Sequence, residues 1–122
     1  MDATAIYAAN KTLTLPNGVE VSFAFSIKQV VLVHQIFVVV LNIPPAVHFN
    51  NNVFGFAQNG DFLWQIDTAG KGLFAGISTD CPFVGANITA ENDERVLLYN
   101  WCSTTLVVQA TTGVVLERHQ SK

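Results

Sequence analysis

The sequence predicts an all-β fold, an antiparallel meander of about ten short strands closing as a barrel or sandwich. Three observations carry this. No window shows an apolar stripe at helical spacing with polar residues opposite it. Apolar/polar alternation of period two recurs along the chain, and turn chemistry separates the alternating runs, with Asn17-Gly18, Asn59-Gly60 and Thr112-Gly113 as the clearest cases.

The first hairpin joins Thr12–Leu15 to Val19–Phe25 through Leu15-Pro16-Asn17-Gly18, because Pro presets φ and Asn-Gly tolerates positive φ. Val19, Val21, Phe23 and Phe25 share one face of its second arm. Lys28–Val33 and Ile36–Ile43 follow, with His34-Gln35 as a two-residue connection. Ile36 to Leu41 is apolar at every position, and its three consecutive valines favour a strand covered on both faces over a buried helix. Pro44-Pro45 ends it, since neither can donate to a ladder. Val53–Ala57 and Phe62–Ile66 flank Asn59-Gly60 as a second hairpin. Thr68 to Pro82 is Gly-rich and irregular, with room for one helical turn at Ala69–Phe74. Phe83–Thr89 reads as a strand, Ala90–Glu94 as a charged turn, and Arg95–Trp101, Thr104–Ala110 and Val114–His119 as the last three strands.

Composition narrows the function classes. The 122 residues carry six basic and nine acidic side chains, a formal charge of −3, and only 12% are charged, against about 25% in an average soluble chain. An acidic chain with scattered basic residues has no footprint for nucleic acid or an anionic membrane surface. Half the residues are hydrophobic, which excludes disorder. The length suits a single domain over 1–122. The N-terminus lacks a basic segment followed by an apolar one, and no run reaches the ~20 residues of a membrane span. The expected compartment is therefore the cytoplasm, with Cys81 and Cys102 as two free, buried thiols.

Val53 to Ile66 and Thr105 to Arg118 look alike, each being strand, Gly turn and strand. With the strands before them they make two candidate four-stranded meanders, 28–66 and 83–119, each the size of a propeller blade. Blades of the pyrroloquinoline-quinone type carry A-x-D-x-x-T-G-x-x-x-W, whose Trp docks between blades. Phe54 to Trp64 resembles that motif at Gly60 and Trp64 and departs at the Ala, Asp and Thr positions. Thr112-Gly113 matches the Thr-Gly of a second copy, where Glu117 replaces the Trp. The resemblance implies an alternative fold, two propeller-like blades completed by oligomerisation. Asn52 to Ile66, Tyr99-Asn100-Trp101 and Thr112-Gly113 are also similar to small uncharacterised bacterial proteins, some carried on integron gene cassettes. That second resemblance implies a stand-alone bacterial domain and no activity.

Catalytic patterns are missing. His34, His48 and His119 have no metal-ligand spacing. There is no nucleophile elbow around Ile77-Ser78-Thr79, and Gly70-Lys71-Gly72 is not a phosphate loop. No cofactor is expected. The aromatic residues are more suggestive: an exposed Trp beside Asn can stack a ligand while the amide hydrogen-bonds it. Trp64 reads as core, which leaves Trp101, Asn100 and Asn52 as the candidate ligand-binding residues. The expected function is a non-enzymatic binding or protein-interaction module that self-associates, with a dimer favoured, because uncharged strand edges invite pairing. A small β-barrel enzyme and an immunity- or antitoxin-like accessory protein are the alternatives.

Overall fold

The computed structural model describes residues 7–67, 81–88 and 94–120. The expected helical turn at Ala69–Phe74 lies outside them, as do Gly70-Lys71-Gly72, Ile77-Ser78-Thr79 and all of the expected charged turn Ala90–Glu94 except Glu94. Among the described residues, eleven strands run antiparallel, each paired to its sequence neighbour within a sheet. The first sheet comprises β1 (Tyr7–Ala9), β2 (Thr12–Thr14) and β3 (Glu20–Ser22). The second comprises β4 (Ile27–Val33), β5 (Ile36–Leu41), β6 (Val53–Ala57) and β7 (Phe62–Gln65). The third comprises β8 (Phe83–Ile88), β9 (Arg95–Asn100), β10 (Thr104–Gln109) and β11 (Val115–Gln120).

The expected barrel is corrected here: among the described residues the strands form three open sheets, and none closes on itself. Period-two alternation reports which face of a strand is buried and says nothing about what covers it. β5 shows how the layers stack. All six of its residues are buried. Phe37, Val39 and Leu41 join Leu13 and Leu15 in the core against the first sheet. Ile36, Val38 and Val40 join Val96, Leu98, Leu106 and Val108 in the core against the third. The middle sheet is thus covered on both faces, which accounts for its run of valines.

Trp64 ties the second and third sheets together. Its indole Nε1 donates to the Ala110 carbonyl at 2.6 Å. The ring lies over Gly55 on its own sheet and over Gly113 on the next, and a Cβ on Gly113 would stand 2.7 Å from Trp64 Cδ2. This is the docking between sheets that the blade motif implies. A bulge precedes it: Phe62 pairs with Phe56 and Trp64 with Gly55, leaving Leu63 as the extra residue. Leu116 is the extra residue at the corresponding place in β11, between Val115 and Glu117. Glu117, which stands where a second docking Trp would be, is exposed and lies 2.8 Å from His119 Nε2.

The first hairpin repeats the Asn59-Gly60 turn, and the Thr112-Gly113 turn is a version one residue longer. The N–H groups of Gly18, Gly60 and Gly113 donate back to Leu15, Ala57 and Gln109, and all three glycines have positive φ. The Asn17 side chain donates to the Asn59 carbonyl at 3.1 Å, linking the first two turns. His34 and Gln35 also have positive φ, so the tight connection between β4 and β5 is built without glycine.

The expectation of two free thiols is also corrected. Cys81 and Cys102 form a disulfide, with Cα atoms 5.5 Å apart and a sequence separation of 21. No C-x-x-C pattern announces it, because the pairing is made by the packing of β8 beside the β9–β10 turn.

Candidate functional site

A cavity of about 340 Å³ opens between the ends of the second and third sheets. It lies at the end where the β5–β6 loop and the β9–β10 turn emerge, away from the glycine turns. Its most prominent wall is Trp101, whose residue surface is 73% exposed. The Trp101 main chain is fixed on both sides. Its N–H donates to the Pro82 carbonyl at 2.9 Å, and Cys102, the next residue, is held by the disulfide. Asn100 closes the turn from beneath: its Oδ1 accepts from the Cys102 and Thr104 N–H groups at 2.9 and 2.8 Å.

Two further walls come from bulges at matching places in the first strands of the two four-stranded sheets. Ile27 pairs with Leu41 and Gln29 with Val40, so Lys28 is the extra residue of β4. Phe83 pairs with Asn100 and Gly85 with Tyr99, so Val84 is the extra residue of β8. Both extra residues line the cavity. Bulges re-aim side chains in this way next to functional sites. The β5–β6 loop supplies Pro44-Pro45 as the opposite wall.

The junction beneath the cavity is stitched by amide side chains. Gln29 Nε2 donates to the Ala86 carbonyl at 2.7 Å while its Oε1 accepts from the Ala86 N–H at 3.0 Å. Asn52 is fully buried; its Nδ2 donates to the Leu41 and Phe83 carbonyls, and its Oδ1 accepts from the Phe83 N–H. Asn50 Oδ1 accepts from the Cys81 N–H at 2.9 Å. These bonds satisfy the edge of β8, which would otherwise present unpaired backbone groups to the second sheet.

Of the three candidate ligand-binding residues, the structure therefore brings only Trp101 to the cavity. Asn52 and Asn100 are buried, with their amides directed at backbone groups. Lys28, Val84, Pro44, Pro45 and Pro82 are cavity residues that the sequence reading missed. The prolines around an exposed Trp were a usable signal; bulged positions leave none in a single sequence.

Among the described residues, the cavity lining holds one charged side chain, Lys28. His34 meets Glu94 at 3.6 Å and His119 meets Glu117 at 2.8 Å, both in solvent-exposed pairs, and neither lines the cavity. His48 is exposed. No group of three or more His, Cys, Asp or Glu that could hold a metal occurs among the described residues.

A family model, Domain of unknown function (DUF7957), matches residues 3–120. The chain belongs to the DUF7957 family. No curated protein matches it in sequence. Among solved structures it is similar to BamB from Moraxella catarrhalis, with a TM-score of 0.61 at 16% identity. The match covers 94% of this chain and 33% of that one, so the DUF7957 chain spans about a third of BamB's length. BamB is a β-propeller protein, and the likeness fits the propeller-blade alternative for this fold. No helix among the described residues is long and apolar enough to cross a membrane.

Proposed function

We propose that this DUF7957 chain is a non-enzymatic binding or protein-interaction module built from propeller-type blades, with the Trp101 cavity as its ligand seat. One observation carries the reading. The Trp101 main chain is fixed by a hydrogen bond, an adjacent disulfide and a capped turn, while its side chain is left largely exposed to solvent. Leaving a large apolar ring in water is unfavourable for folding, and a main chain already set in place lowers the ordering cost of binding. Among the described residues the lining offers no acid–base pair, Lys28 being its single titratable side chain.

The chain has two tryptophans, and Trp64 is buried, so a ligand at this cavity shifts the emission of Trp101 alone. Saturable blue-shifting of that emission, lost in Trp101→Phe, supports the reading. Ligands that bind equally well to Trp101→Ala refute it.

A dimer is favoured over a closed ring of blades. The outer face of the first sheet carries Thr12, Thr14, Glu20 and Ser22, a polar surface unlike the two buried interfaces. The exposed apolar residues Phe62, Leu63, Val114 and Leu116 lie instead along the β7 and β11 edge strands and the turn leading into β11. Light scattering of the wild type and of Phe62→Lys/Leu116→Lys tests this: the reading expects a dimer that the double variant reduces to monomer. A wild-type monomer at 100 micromolar refutes it. The disulfide supports an oxidising compartment in place of the expected cytoplasm, and thiol titration of protein taken directly from cells checks it.

A further inference from the structure

The chemistry of the cavity wall narrows what would sit there. Among the described residues of the lining, Lys28 carries the only formal charge and Asn42 is the only other polar side chain; the remaining described walls are proline, valine, isoleucine and the Trp101 ring. A sugar buried on such walls would leave most of its hydroxyls without partners, which is costly. An apolar side chain flanked by a carboxylate matches both the wall and the charge.

We propose that the Trp101 cavity takes an extended acidic peptide segment of a partner protein. An apolar side chain of the segment lies on the Trp101 ring between Pro82 and Pro44-Pro45, and a neighbouring carboxylate meets Lys28. This rests on the cavity being a ligand seat, and three features make the seat a built one. Lys28 and Val84 are both turned to it by bulges at equivalent strand positions. The prolines have fixed φ, so the wall loses little freedom when covered. The volume, about 340 Å³, is at the small end of ligand pockets of roughly 300–1,000 Å³, which suits a short stretch of chain.

The test uses the full chain, fluorescently labelled, on an array of random ten-residue peptides, with cellohexaose and chitohexaose measured separately by Trp101 emission. The expected result is enrichment of peptides in which Asp or Glu flanks a large apolar residue. Trp101→Ala weakens the best of these at least tenfold, as loss of a central aromatic anchor does. Lys28→Gln weakens it about two- to fivefold, the size expected of an exposed ion pair, and Lys28→Glu shifts the array toward Lys- and Arg-containing peptides. Both side chains are exposed, so thermal melts of the variants should superpose on wild type and separate binding loss from unfolding. Enrichment without charge bias, or unchanged by Lys28→Glu, overturns the acidic-peptide assignment. A hexasaccharide that shifts Trp101 emission while no peptide binds overturns the peptide class and leaves the ligand seat standing. No Trp101-dependent binding by any probe overturns both.

Discussion

Three glycine-to-alanine replacements separate the two reasons why glycine is needed around Trp64. At Gly18 φ is +90° and an added Cβ meets nothing within 4 Å, so only backbone strain is introduced. A left-handed residue costs about 1–2 kcal/mol, and reduced freedom of the unfolded chain offsets roughly 0.4–1 kcal/mol of that. Gly18→Ala should therefore cost about 1 kcal/mol. Gly55 lies outside the left-handed region, but its Cβ would overlap the Trp64 indole. Displacing the ring costs about 1–3 kcal/mol of overpacking. Losing the Nε1 bond to the buried Ala110 carbonyl costs roughly 1–3 more, so Gly55→Ala should cost about 3 kcal/mol in all. Gly113 combines both penalties, with φ of +78° and a Cβ 2.7 Å from Trp64 Cδ2, and Gly113→Ala should cost about 4 kcal/mol if the terms add. Urea titration under non-reducing conditions measures all three. In a Trp101→Phe background the emission reports Trp64 alone, and it should move to the red in the Gly55 and Gly113 variants and stay fixed in Gly18→Ala. Equal costs at Gly18 and Gly55, or an unmoved Trp64 emission, would refute the claim that this indole locks one sheet to the next.

Four further outcomes follow from the same contacts. Cys81→Ser/Cys102→Ser should lower stability by roughly 3 kcal/mol on loop entropy alone, and reductant should lower the urea midpoint of wild type but leave the double variant unchanged. Asn52→Ala removes an amide that serves three backbone groups and should cost about 3 kcal/mol, because the groups it leaves are buried and unpaired. Gln29→Ala, at a half-buried position with two bonds to Ala86, should cost less, about 1–2 kcal/mol, and faster amide exchange at Ala86 is its direct readout. Trp101→Ala should change the melting free energy by less than about 0.5 kcal/mol; a loss of several times that would mean the ring is structural and would remove it as a ligand seat.

The sequence made the strands of this fold readable and left their assembly hidden. Ile36 to Leu41 announces a strand covered twice, and all six residues are buried, three toward each neighbouring sheet. The Asn59-Gly60 and Thr112-Gly113 turns stand where their chemistry places them, because positive φ is a local demand that glycine meets locally. What escaped is non-local. β1 is three residues long and visible only through its pairing with β2. The disulfide joins residues that nothing in their own neighbourhoods connects. Asn52 and Asn100 looked like ligand amides because an asparagine beside an aromatic residue carries no mark of the backbone groups it will meet. The bulges at Lys28 and Val84, which set two walls of the cavity, are a property of register and not of composition.

The low charge of the chain takes its meaning from this layering. A middle sheet with neighbours on both faces has no outward face to charge, and its two cores absorb most of the large apolar side chains. Among the described residues, the large apolar side chains left exposed are Val19, Ile88 and Val114, Phe62, Leu63 and Leu116 of the outer strands, and Trp101 of the β9–β10 turn. They differ in support. Leu63 and Leu116 are exposed because a bulge must place one residue off the ladder to turn Trp64, or its counterpart Glu117, toward its docking position. Trp101 serves no such internal need, since the turn is capped by Asn100 and pinned by Cys102 whatever side chain stands between them. Its indole, 73% exposed, is a large group that the contacts within the fold do not account for, and the proposed ligand seat rests on it.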